Sequence, residues 1–197
     1  MWVPLSLRKL IDSLKKLPGI GERSAERIAF HLLKRPDQLQ SMIEVLQDAR
    51  DSLTFCSNCH VITDVDPCPI CTDPARNGEV VCVVERPQDV FLIEKSGYFD
   101  GRYHVLGGVI SPLHGVTPED LYIEDLVERI KREGIKEVIL ALSPTIEGDT
   151  TSIYIKERLK DLDVRVTRIA RGLPTGIDLS FSDALTLKEA LQGRREL

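Results

Sequence analysis

The chain has 197 residues, with 26 Lys and Arg against 31 Asp and Glu, and a formal net charge of -5 at pH 7. That length holds one medium domain or several small ones. No run approaches the roughly 18 apolar residues of a membrane-crossing helix, and "MWVPLSLRKLIDSL" shows no cleavable signal pattern, so a cytoplasmic protein is expected, its five cysteines reduced and read as metal ligands or packing rather than disulfides.

The charge is unevenly spread. Residues 1–35 carry eight basic and three acidic side chains, a net +5, which leaves -10 for the rest. A charged ligand feels the local field over about 10 Å at 0.1 M salt, so a basic head can attract a polyanion that an acidic body repels. Leu7, Leu10, Ile11, Leu14 and Leu17 recur at helical spacing, with Ser6 placed to cap the start and Pro18 and Gly19 to end the helix. Ala25, Ile28, Ala29, Leu32 and Leu33 predict a second helix, closed by Pro36.

Between them stands "PGIG". Gly19 and Gly21 let the backbone bend tightly around Ile20 and come close to a ligand. The second helix then points free N–H groups outward, where phosphate binds well. Arg23 and Arg27 lie four apart, on one helix face. The pattern "LPGIGERSAER" is similar to a helix-hairpin-helix motif. Such a turn grips phosphates rather than base edges, so it holds DNA without reading sequence. The plainer alternative is an ordinary helical hairpin with a solvated basic face. A third helix is expected from about Asp37 to Leu53, with Leu39, Met42, Ile43, Leu46, Ala49 and Leu53 on the face that covers the hairpin.

"FCSNCHVITDVDPCPICTD" follows, with Cys56, Cys59, Cys68 and Cys71 in two CxxC turns. Four thiolates suit tetrahedral Zn²⁺ and leave no open position for water, so one structural zinc per chain is expected. A segment this short builds no core of its own, so the metal would organise it. His60 is surplus once four thiolates bind, and a redox CxxC is the rival reading. Cys82, inside "VVCVVE", reads as a buried strand residue.

From residue 79 strands and helices alternate. "EVVCVVE", "RYHVLGG", "KEVILALS" and "VRVTRIA" read as strands. "PQDVFLIEKSG", "TPEDLYIEDLVERIKREG" and "DTTSIYIKERLKDLD" read as helices, the second with Thr117 as N-cap, Pro118 in its first turn and Gly134 past its end. A small parallel α/β sheet follows from this order. Such sheets place their sites at strand ends. Glu85 ends the first strand, and the "SPTIEGD" loop brings Glu147 and Asp149 after "VILALS". Two loop carboxylates can share one Mg²⁺, and Glu85 could serve as acid or base; surface acids without chemistry are the plain alternative.

This layout resembles the Toprim domain of topoisomerases, DnaG-type primases and related nucleases. There the matching glutamate transfers protons and an Asp-x-Asp pair holds Mg²⁺; Glu147 departs from that pattern. A hairpin, a four-cysteine finger and a Toprim-like domain in this order resemble the bacterial RecR family of recombination mediators. "LPGIGERSAERIAFHLL", the CxxC pair, "CVVE", "YHVLGGVISPLHGV", "SPTIEGDTTSIYI" and "RIARGLPTGIDLSFSDALTLKEALQGR" carry the resemblance over nearly the whole chain.

The resemblance implies an α/β protein of several parts: a helix-hairpin-helix region over 1–54, a zinc finger over 55–78, a Toprim-like domain over 79–174 and a C-terminal extension over 175–197. It implies a non-enzymatic, nucleoid-associated role in recombinational repair. The protein would bind single- and double-stranded DNA and act with RecO, and with RecF where present, to load RecA at gaps coated by single-strand-binding protein. It would form ring-like dimers or tetramers, and Glu85, Glu147 and Asp149 would dock RecO rather than hold a metal. A Mg²⁺-dependent nuclease using those three acids and a protein-bridging scaffold that never touches DNA remain as alternatives. "RGLPTGIDL" lacks the Gly-Lys-Ser/Thr ending of a nucleotide loop.

Overall fold

A computed structural model describes residues 3–176 and 178–194. The chain divides after Leu53 into two units. Ile177, inside "RGLPTGIDL", lies outside the described residues.

The first unit is helical: α1 (Leu5–Leu14), α2 (Glu22–Leu33) and α3 (Pro36–Ser52). Helix α1 begins earlier than its periodicity suggests. Pro4 holds the N-cap position and no side chain caps it, so Ser6 falls within the first turn and is not the cap. Pro36 opens α3 at its first position rather than closing α2, which has already ended at Leu33. Ala25 and Ala29 on α2 are the fully buried residues among those described in this unit, small enough for the helices to approach closely. The expected cover of the hairpin by α3 is incomplete. Leu39 and Ala49 are half-buried, but Met42, Ile43, Leu46 and Leu53 are exposed, as is Val45.

The second unit starts with a two-stranded antiparallel ribbon, β1 (Thr54–Phe55) and β2 (Ile62–Thr63), and a one-turn helix α4 (Pro69–Thr72). Then come β3 (Asn77–Val84), α5 (Pro87–Ser96), β4 (Gly101–Val105), α6 (Ile123–Glu133), β5 (Glu137–Ala141), α7 (Ile146–Arg158), β6 (Arg165–Arg168) and α8 (Ala184–Gln192). The four long strands form one parallel sheet in the order β4-β3-β5-β6.

The pleat of β3 serves two cores. Val81 and Val83 face the larger one, with Leu126, Val127 and Ile130 of α6, and Ile155 of α7. Cys82 and Val84 face the other side, joined there by Val90, Tyr103 and the four finger cysteines. Cys82 is buried in its strand, and burial pushes its thiol up to about 12. Helix α6 is shorter than the pattern "TPEDLYIEDLVERIKREG" suggests. A 3-10 turn over Pro118–Asp120, capped reciprocally by Thr117 and Asp120, comes first. The chain then extends at Leu121, because Leu121 enters the core and the Tyr122 amide bonds to the Leu106 carbonyl at 3.0 Å. Strand order reverses direction at β3, so the crevice beyond β3 and β5 is the place where a doubly wound sheet holds a ligand or partner.

Candidate functional site

The hairpin is built for exposure. Gly19 sits at φ 80, a left-handed conformation that a side chain resists, and the Ile20 amide closes the turn on the Leu17 carbonyl at 3.1 Å. Gly21 is extended at the N-cap of α2 and no side chain caps that helix. A Cβ added at Gly19 or Gly21 would meet nothing within 4 Å, so the surface there is open to a ligand. Ile20 is half-buried and anchors the turn, while Arg23 and Arg27 stand exposed one helical turn apart. Lys15 lies 3.6 Å from Glu22 across the turn.

In the second unit the two CxxC turns converge. The sulfurs of Cys56, Cys59, Cys68 and Cys71 all lie within 4.8 Å of one another and all four residues are buried. Cys56 Sγ is 4.0 Å from Cys71 Sγ, and Cys59 Sγ is 3.5 Å from Cys68 Sγ. A tetrahedron with zinc–sulfur bonds of about 2.3 Å needs sulfurs about 3.8 Å apart, so these residues fit a zinc ion. The Cys68 amide donates to Cys56 Sγ at 3.3 Å. Hydrogen bonds from Cys59 first, and Cys71 next, hold the Cys68 thiol far below its ordinary range. His60 turns away from this cluster at φ 62. Its ring stacks on Tyr122 at 3.7 Å, and Nε2 lies 2.9 Å from Asp125 Oδ2, off the line of a good hydrogen bond.

The three acids of the sheet's crevice are not gathered together. Glu85 is buried just past β3, where one carboxylate oxygen accepts the Ser143 amide beyond β5 at 2.6 Å. Glu147 and Asp149 stand on the first turn of α7 and not on a loop, because Thr145 caps that helix by accepting the Gly148 amide at 3.1 Å. Residues two apart on a helix point to different sides. Glu147 shares a cavity of about 420 Å³ with Glu85, Arg86, Ser111, His114 and Ser143. Asp149 lies outside that cavity, paired with Arg171, whose Nη1 is 3.1 Å from Oδ2, and with Arg168 at 3.5 Å. These arginines, Arg171 first, hold the Asp149 carboxyl below its usual range. Among the described residues the four cysteines are the one metal-type cluster.

Sequence reasoning missed several residues that shape these sites. Arg171 reads as one more charge after a strand, and only the fold brings it to Asp149. Thr151, fully buried on α7, receives the Ile110 amide at 2.9 Å and so ties the "LGGVI" loop to the helix. Arg129 is 1% exposed, yet on a helical wheel it falls at the flank of the α6 apolar stripe, where a long basic side chain reads as surface.

Four family models match the chain in sequence: the RecR helix-hairpin-helix over 7–50, the RecR four-cysteine zinc finger domain over 53–73, the Toprim domain over 79–170 and the RecR C-terminal region over 172–195. Together with the four converging sulfurs, the second of these marks a zinc-binding site. The "Recombination protein RecR" of Koribacter versatilis is 48% identical over 192 residues, covering 97% of this chain and 96% of that protein. That of Geobacter sulfurreducens is 48% identical over 192 residues, covering 98% and 97%. That of Acidothermus cellulolyticus is 50% identical over 192 residues, covering 97% and 96%. No helix among the described residues is long and apolar enough to cross a membrane.

Proposed function

The chain belongs to the RecR family of recombination proteins, and on that premise we propose that it is a non-enzymatic mediator of recombinational DNA repair. It holds gapped or single-stranded DNA, and duplex beside it, without reading sequence. With RecO, and with RecF where that protein is present, it helps RecA onto the strand. The observation that carries this reading is the open hairpin: a left-handed Gly19, an uncapped α2 and the exposed pair Arg23 and Arg27. Residues 1–54 are then the DNA-binding region, 55–78 the zinc finger, 79–174 the Toprim-like domain and 175–197 an oligomer contact. The working form is a cytoplasmic, nucleoid-associated dimer or tetramer with one structural zinc per chain.

The hairpin supplies N–H groups and guanidinium groups to phosphate oxygens. The zinc, when bound, crosslinks the two CxxC turns and supplies no reactive position. The crevice serves as a docking surface for a basic partner. Glu85 and Glu147 share its cavity, while Asp149 is held by two arginines and so is poorly placed to join them on a Mg²⁺ ion.

The test is a binding titration with labelled gapped DNA at two salt concentrations, followed by incubation with Mg²⁺ or Mn²⁺. Salt-sensitive binding and intact DNA are expected. Strand cleavage abolished by Glu85→Gln would establish the nuclease reading instead, and no binding at any salt would leave a protein scaffold.

A further inference from the structure

We propose that Arg129, on helix α6 of the α/β unit, is the cation that stabilises the four-cysteine zinc site, acting on the thiolate of Cys71 from outside the finger. The inference rests on zinc occupying those thiolates and adds a residue more than 50 positions beyond the finger to what holds it.

Four thiolates around Zn²⁺ carry a net charge of -2, here among residues that are all buried. A charge so placed is costly unless something of opposite sign lies against it. Arg129 is 1% exposed, so its own charge also has to be met. Nη1 donates to the Tyr103 carbonyl at 2.6 Å and Nε donates to Glu133 at 3.1 Å. Those two bonds aim the remaining nitrogen, Nη2, at Cys71 Sγ, 4.0 Å away. Glu133 does not neutralise Arg129 by itself. It is shared with Arg132 at 3.2 Å and Arg102 at 3.5 Å. With Asp125 facing His60 from the same helix, three guanidinium groups (Arg102 from β4, Arg129 and Arg132 from α6) meet two carboxylates, a surplus of one positive charge beside the finger.

The same helix touches the finger at other points. Arg132 donates to Asn58, between Cys56 and Cys59, at 2.5 Å, and Asp125 lies beside His60. Strand β4 adds the Val105 amide, which donates to the Cys59 carbonyl at 2.8 Å. The cysteines pack into one core with Val84, Val90 and Tyr103. The metal site is thus walled by the sheet and by α6, and Arg129 is the wall's buried charge. Partners outside the ligand set commonly change metal affinity by about 10–100-fold.

The experiment compares full-length, zinc-loaded protein with Arg129→Gln, Arg129→Lys and Leu126→Ala, following zinc transfer to a chelating dye. Leu126 is buried in the other core and sets the effect of destabilising α6 alone. Arg129→Gln should release zinc about 10–100-fold faster than the parent. Arg129→Lys should recover most of that loss, and Leu126→Ala should release zinc at the parent rate while folded. Equal release from Arg129→Gln and Leu126→Ala, at matched melting temperature, would overturn the proposal. If Arg129→Gln does not fold, Arg129→Lys decides: retention supports the charge, and release as fast as the dye can take zinc refutes it. A parent protein without zinc would instead refute the zinc reading on which this rests.

Discussion

Asp149, on the first turn of α7, is paired with Arg171, which stands beyond the end of β6 where the chain turns into its C-terminal segment. Arg168 joins the pair at 3.5 Å, and Gly172 packs against Ala190 of α8. One acid of the crevice therefore anchors the C-terminal segment, and Glu147, which makes no ion pair among the described residues, faces the cavity. Asp149→Asn should loosen the segment modestly, since a half-buried pair that solvent still reaches contributes about 1 kcal/mol. Hydrogen exchange across α8 would show it as a few-fold rise. Binding to RecO, the proposed partner, should fall more for Glu147→Gln than for Asp149→Asn, because the oxygens of Asp149 are already occupied. The reverse ranking would place the docking surface on the α7–β6 side instead.

The finger should depend on its metal. Cys68→Ala removes one of the four sulfurs, and the backbone amide of residue 68, which still reaches Cys56 Sγ, cannot replace it as a ligand. Because the cysteines also form part of the core under β3 and β4, the damage should spread beyond the finger. Elemental analysis should find one zinc per parent chain and less in the variant. A lower melting temperature for the whole second unit should accompany that loss. A parent chain that is folded and free of zinc would refute this.

Acid sensitivity should come in part from His104. It is fully buried, its Nε2 donates to the Tyr122 carbonyl at 2.7 Å, and burial pushes its pKa down to about 3. An unfolded histidine titrates near 6.5. Between those values the unfolded chain binds one more proton at this site, so stability falls as pH drops from about 6.5 toward 3. His104→Gln keeps a donor for Tyr122 and removes the titration. Denaturant midpoints at pH 7.5 and pH 5.5 should differ less in that variant than in the parent. An unchanged difference would mean that other groups control the acid limb.

The parts that sequence made legible are those governed by local rules. The buried strand "VVCVV", the four-cysteine spacing and the glycine turn each depend on near neighbours, and each forms as expected. What sequence missed depends on distant contacts. The helix after Thr117 splits because Leu121 has a core to enter. Asp149 leaves the crevice because Arg171 reaches it across 22 positions. Arg129 is hidden because helical spacing marks a stripe's edge, and only the packed finger makes that edge an interior. The exposed apolar face of α3 was legible as apolar, but not as uncovered.

That uncovered face bears on DNA binding. On the proposed reading one hairpin would reach about two or three phosphates, which supports a dissociation constant no better than roughly 10⁻⁴ M at physiological salt. Linking several hairpins in one assembly raises affinity without new kinds of contact, because the second site binds at high effective concentration. Val45 and Leu46 are 64% and 60% exposed. They line a cleft of about 420 Å³ with His31, Leu32 and Met42. Apolar surface of this kind suits a contact between copies. Val45→Glu with Leu46→Glu should leave the unit folded, since neither residue is in its core, but should shift sedimentation toward smaller species. DNA affinity should fall with it. Arg23→Ala with Arg27→Ala should instead leave the assembly intact, weaken binding to all sequences alike, and flatten the salt dependence by about 0.9 per lost duplex phosphate contact. The two variants thus separate avidity from contact. A proven monomer that binds DNA as tightly as the parent, with the same salt slope, would show that a single head suffices.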